Sequence, residues 1–186
     1  MPKAVYVEKT VETSDGVTLD LKGMKVTVTG PKGKLERDFH GEPVQMELKK
    51  NKLHLSVAFP RKREQAMLGT IEAHVKNMIV GVTEGYTYKL TIVYSHFPIT
   101  VEVKPGETVI IKNLYGQRDP RKAKIQGNVN VKVEGDEIIV TGINKEHVGQ
   151  TSANIQEVCK LRGKLHKDPR RFMDGIWLSA QFVGIE

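Results

Sequence analysis

Cysteine is almost missing from this 186-residue chain, and the one present, Cys159, can form no intrachain disulfide. A crosslinked scaffold is therefore excluded, and a reducing, cytoplasmic compartment is expected. No apolar run reaches the ~20 residues that a membrane-spanning helix needs, so no membrane partner is expected. Residues 1–5 lack the apolar segment of a secretory leader, and secretion is not expected. Metal-ligand patterns are missing too. The six histidines (His40, His54, His74, His96, His147 and His166) stand apart from cysteine or carboxylate partners at ligand spacing. No pair of acids forms an obvious acid/base couple. The chain is read as a non-enzyme with no catalytic residue, no metal and no cofactor. Aromatics make up only 6% of the residues, which draws attention to the few that lie inside charged stretches.

What is present is a folded, basic protein. Apolar residues recur from end to end at 39%, and the formal net charge is +7. The positive charge is clustered at 61–63, at 118–124 and at 160–171. Clustering suits phosphate binding, because each neutralised phosphate releases counterions.

The chain also resembles itself. Residues 25–33 parallel 108–116, residues 44–48 parallel 129–133, and both second stretches lead through a polar turn into another apolar strand, 53–57 and 138–141. A helical segment follows in each half, with 69–75 parallel to 149–155. Two copies of one unit are expected, a first α+β repeat at 1–82 and a second at 83–186. Alternation at Val17, Leu19, Leu21, Val26 and Val28 predicts antiparallel strands with one polar face. The fold class is α+β, two tandem duplicated domains, each a mostly antiparallel sheet covered by one helix. The glycine-rich stretch 29–33 lacks the Lys-Ser/Thr ending of a phosphate loop and is read as a hairpin turn.

The first helix is predicted from near Arg61 to Val80, with Leu68, Ile71, Val75, Met78 and Ile79 as its apolar stripe and Gly81 as its stop. The second is predicted to start at Asn144 as N-cap, with Glu146 in the first turn. Val148, Ser152, Ile155 and Cys159 keep helical spacing, and Gly163 is the expected end. Cys159 at that end is read as packing rather than as a nucleophile.

The basic stretches divide by context. Arg61, Lys62 and Arg63 open a helix, where cations oppose the dipole, and a solvated first turn is the plainer reading. Arg118, Arg121 and Lys122 form a candidate contact loop. Residues 160–171 read as a basic tail interrupted by Gly163 and Pro169, holding Lys160, Arg162, Lys164, His166, Lys167, Arg170 and Arg171. Phe172 follows as a candidate for stacking on a base, and Trp177 as an anchor to the second sheet. Lys145 and Gln150 lie near the start of the second helix, where free N–H groups favour a phosphate.

The motif Gly142-Ile143-Asn144-Lys145, continued by Val148-Gly149-Gln150, Ala153 and Ile155, resembles that of the universal large-subunit ribosomal protein family counted as six in bacteria and archaea and nine in eukaryotes. The resemblance covers essentially the whole chain. Tyr94-Ser95-His96-Phe97-Pro98-Ile99 and the ending at 167–177 resemble the archaeal and eukaryotic branch and depart from the bacterial ending. The resemblance implies a structural, rRNA-binding protein of the cytoplasmic large ribosomal subunit, with RNA rather than DNA as ligand. It implies a seat near the sarcin–ricin region at the base of the stalk, beside neighbouring ribosomal proteins and translation GTPases. The counterpart of the motif at 62–75 lacks the Asn-Lys start and the Gly-Gln pair, which assigns rRNA binding mainly to the second repeat. A protein-interaction module for an acidic ribosomal or stalk partner, using Lys49, Lys50 and Lys52, is the alternative. An RNA-modifying enzyme is a third reading, and no residues stand out to build its pocket.

Overall fold

Val26 and Val28, like Leu53 and Leu55, alternate with polar neighbours along short strands, and all four are almost wholly buried. This two-residue period places one face of each strand in a core. A computed structural model of the chain describes all residues except 1–5, 15, 50–51, 105, 162–167, 169–171 and 186. It forms two units, Met1–Glu84 and Gly85–Glu186.

The first unit contains β1 (Tyr6–Glu12), β2 (Thr18–Lys22), β3 (Lys25–Gly30), β4 (Gly33–Asp38), β5 (Gln45–Lys49), β6 (Lys52–Ala58) and α1 (Lys62–Thr83). One sheet has the order β1-β6-β5 and the other β2-β3-β4. Every pairing is antiparallel. The stripe Leu68, Ile71, Val75, Met78 and Ile79 is buried, with Val82 continuing it, in a core shared with Val11, Val26 and Leu55.

The second unit contains β7 (Tyr86–Val93), β8 (Thr100–Lys104), β9 (Thr108–Lys112), a 3-10 turn at Leu114–Gly116, β10 (Arg121–Lys124), β11 (Val129–Glu134), β12 (Glu137–Gly142), α2 (Lys145–Cys159) and β13 (Gly175–Val183). Its sheets are β10-β9-β8 and β11-β12-β7-β13. The order β11-β12-β7 repeats β5-β6-β1, and β8, β9 and β10 repeat β2, β3 and β4. The duplication read from the sequence is thus present strand by strand, and β13 has no counterpart among the described residues of the first unit. It pairs with β7 from Gly175↔Val93 to Val183↔Tyr86, with a bulge between Leu178 and Ala180.

Three boundaries differ from the sequence reading. Gly81 is not the stop of α1: it is buried inside a helix that runs on to Thr83. The stop is Gly85, whose φ of +79° is left-handed and therefore favours glycine. The second helix ends at Cys159, short of Gly163, because Lys160 is already extended at ψ 130°. Gly163 itself lies outside the described residues. Finally, the residues after the basic stretch are not a tail, since Gly175–Val183 form β13 and pair with β7.

The 29–33 hairpin has a structural task. Lys32 donates its backbone N–H to the Val82 carbonyl at 2.9 Å, and its ammonium reaches the Glu84 carbonyl. The turn thereby satisfies carbonyls that the end of α1 leaves without helical partners. Lys49 and Lys52, proposed above as a docking turn, are paired with Glu47 and Glu12 at 2.5 Å each. Lys50 lies outside the described residues.

Candidate nucleic-acid interface

The start of α2 is built as the sequence suggests. Asn144 is extended, and its side-chain oxygen accepts from the Glu146 N–H at 2.9 Å. Lys145 then lies over the Tyr86 ring, 5.6 Å from its centroid. That stacking holds the ammonium beside the first turn without burying it. Gln150 donates to Asn154 Oδ1 at 2.9 Å, and Asn154 Nδ2 donates to the Lys124 carbonyl at 2.9 Å. Gln126 N–H adds a bond to Thr151 Oγ1 at 3.0 Å. These bonds lock the helix to β10 and the segment after it.

Strand β10 separates its basic residues by face. Ala123 is buried and Arg121 half-buried, while Lys122 and Lys124 point outward. Arg121 donates through Nη1 to the carbonyls of Val158 (2.6 Å) and Lys160 (3.3 Å), and through Nη2 to Gln117 Oε1 (2.9 Å). Its charge meets the negative end of the α2 dipole. Lys160 is paired with Glu157 at 2.5 Å. Arg118, Lys122 and Lys124 are exposed, and among the described residues none of the three has an ion-pair partner. Lys124 was not singled out above, although the period-2 alternation of β10 gives it the same outward face as Lys122.

Described residues on either side of the basic stretch pack or hydrogen-bond within the second unit. On the incoming side Leu161 is buried. On the outgoing side Phe172 N–H bonds the Asp168 carbonyl at 3.0 Å, Tyr115 hydroxyl donates to the Asp174 carbonyl at 2.9 Å, and Trp177 Nε1 donates to the Met173 carbonyl at 2.8 Å. Trp177 sits in β13 opposite Thr91, which gives it the anchoring role. Phe172 is 46% exposed, so its ring is accessible. Arg162, Lys164, His166, Lys167, Arg170 and Arg171 lie outside the described residues. Burial pushes the Cys159 thiol up to about 11, so at neutral pH it is a packed thiol and no nucleophile. No group of three or more acids, histidines or cysteines could hold a metal among the described residues. No helix among them is long and apolar enough to cross a membrane.

The family model for ribosomal protein L6 matches the chain twice, at residues 14–85 and 97–167. The chain belongs to the ribosomal protein L6 family. The two matches fall on the two structural units, and the second includes Arg118, Lys122 and the whole of α2. The large ribosomal subunit protein uL6 of Methanobrevibacter smithii is 45% identical over 97% of this chain and 99% of its own length. That of Aeropyrum pernix is 45% identical over 98% and 99%, and that of Methanosphaera stadtmanae 46% over 96% and 95%. The L6 relatives carry the names of ribosomal components, not of enzymes.

Proposed function

We propose that the chain is a structural constituent of the large subunit of the cytoplasmic ribosome and binds large-subunit rRNA mainly through its second unit. Family membership supports the subunit assignment. The observation that carries the RNA assignment is the exposure of Arg118, Lys122 and Lys124, which no carboxylate neutralises among the described residues. Cations presented by a strand edge grip a folded RNA by its phosphates and shape, because the deep major groove of A-form RNA resists side-chain reading. Lys145 and Gln150 at the start of α2, with Lys160, Arg162, Lys164, His166, Lys167, Arg170 and Arg171, complete the contact set. Phe172 offers a ring for an unstacked base. Arg121 acts from behind by holding the end of α2 against β10.

We place the protein near the sarcin–ricin region at the base of the stalk, with neighbouring ribosomal proteins and translation GTPases close by, on the strength of the family resemblance. Residue-to-nucleotide crosslinking in the intact subunit tests that location. Neutralising Lys164, Lys167, Arg170 and Arg171 together tests the RNA contact. The expected result is weaker rRNA binding with a flatter salt dependence; an unchanged affinity and slope overturns it. The acidic-partner reading has less support, since Lys49 and Lys52 already carry carboxylate partners.

A further inference from the structure

The first unit neutralises its own lysines with care. Lys9 and Lys76 pair with Glu72, Lys25 and Lys34 with Glu36, Lys49 with Glu47 and Lys52 with Glu12. Lys22 lies 4.0 Å from Asp20, Lys32 reaches the Glu84 carbonyl, and Arg37 lies over the Phe39 ring. Among the described residues of this unit, only Arg61, Lys62 and Arg63 are lysines or arginines whose side chains have no ion pair, no ring and no carbonyl partner. All three are exposed. The nearest acid in sequence, Glu64, is engaged by the Arg61 backbone N–H at 2.8 Å.

Beside them stands Phe59, 75% exposed and held at a φ of +51°. A bulky side chain is disfavoured in that conformation, and an exposed phenyl ring gains nothing from burial. Cations in the first turn of a helix are unfavourable as well. Two local choices that both work against folding stability, within the five residues 59–63, mark a surface shaped for something other than the fold. Phe59 and Arg61 border an open depression lined by Pro43, Val44, Gln45 and Ser56.

We propose that Phe59 with Arg61, Lys62 and Arg63 forms a second RNA-binding surface, on the first unit, for a single-stranded segment of rRNA. It rests on the rRNA reading above and adds a separate site to it. The three cations track consecutive phosphates, and the Phe59 ring stacks a base turned towards the depression. Glu42 and Glu64, which also line that depression, keep the phosphates outside it. An aromatic next to unpaired cations favours RNA over an acidic protein, because each base offers a ring face and each phosphate a charge.

The test uses the full chain, large-subunit rRNA, and polyglutamate as a protein-like polyanion. The triple variant Arg61→Gln, Lys62→Gln, Arg63→Gln is expected to lower the slope of log affinity against log salt by about 2–3. Phe59→Asn is expected to weaken rRNA binding about tenfold with the salt slope unchanged. Asparagine tolerates the left-handed conformation and glutamine removes the opposed cations, so neither variant should lower the melting temperature. Binding lost at undiminished stability cannot come from misfolding. Wild-type affinity and slope in both variants overturn the proposal. The variant neutralised at Lys164, Lys167, Arg170 and Arg171 runs alongside: if it alone weakens binding, the second surface fails and the main reading stands. If it also binds as wild type, the main reading fails. If the triple variant loses polyglutamate but keeps rRNA, the patch serves an acidic protein and the RNA proposal is overturned.

Discussion

The Arg121 guanidinium donates to the Val158 carbonyl at 2.6 Å and so closes the end of α2 from the neighbouring strand. In the first unit, Lys32 of the β3–β4 turn closes α1 by bonding the Val82 and Glu84 carbonyls. The two units therefore share a device as well as a strand order: the meander sheet sends a basic residue to the carbonyl end of the helix.

Arg121 and Lys122 are adjacent in sequence but have opposite tasks, and substitution should separate them. Arg121→Gln removes charged hydrogen bonds made by a half-buried guanidinium and should destabilise the second unit by about 1.5–3 kcal/mol. Lys122→Gln should leave stability within about 0.5 kcal/mol of the parent, while lowering the rRNA salt slope by about 1. Thermal unfolding together with binding across a salt series reads both. A melting temperature unmoved by Arg121→Gln would remove the capping role.

Much of this was legible in the sequence, and the misses have local causes. The stripes of both helices and the Asn144 cap are short-range patterns, so residues three or four apart disclosed them. The stop of α1 was misplaced because Gly81 and Gly85 look alike in sequence. Only the structure separates a glycine packed inside a helix from one at φ +79°. Strand β13 was hidden because the bulge between Leu178 and Ala180 breaks the alternation that marks a strand. The capping bonds of Arg121 went unseen because its partner carbonyls lie 37 and 39 residues away, beyond any spacing rule.

Two glycines should respond oppositely to alanine. A Cβ at Gly30 would lie 2.6 Å from Val82 Cγ2 and 3.0 Å from the Val82 carbonyl oxygen. The backbone atom cannot step aside, so Gly30→Ala should cost about 1–3 kcal/mol and speed amide exchange at Lys32. A Cβ at Gly149 would meet Tyr88 at an ordinary 3.8 Å. Gly149→Ala should then stabilise α2 by about 0.5–1 kcal/mol through helix propensity. Denaturant unfolding of the two variants checks both signs.

Cys159 gives a pH dependence on the alkaline side. Its folded thiol is pushed up to about 11 from an ordinary 9.0, chiefly by burial. The neutral thiol is the form the fold favours, so this contribution is complete below pH 9. It is lost as pH rises from 9 towards 11, where the unfolded chain ionises first. Cys159→Ala should flatten the loss of stability over that window. A disulfide reagent at pH 8 should label Cys159 only as fast as the second unit opens, and rapid labelling of the native protein would contradict the burial.

Glu36 gives the opposite dependence on the acid side. Hydrogen bonds and charge from Lys25 and Lys34, at 2.5 and 2.7 Å, hold its carboxyl down at about 2 from an ordinary 4.5. The folded state binds this proton less readily than the unfolded chain. The contribution is therefore present above pH 4.5 and lost as pH falls towards 2. All three groups are solvent-exposed, so screening by salt should shrink the effect. Glu36→Gln should make the β3–β4 hairpin less dependent on pH between 4.5 and 2 at low salt, and the difference from the parent should fade at high salt. Amide exchange along Lys25–Gly30 measures it. A parent hairpin whose protection keeps the same pH profile at both salt concentrations would show that the Lys25–Glu36–Lys34 cluster contributes nothing to the pairing.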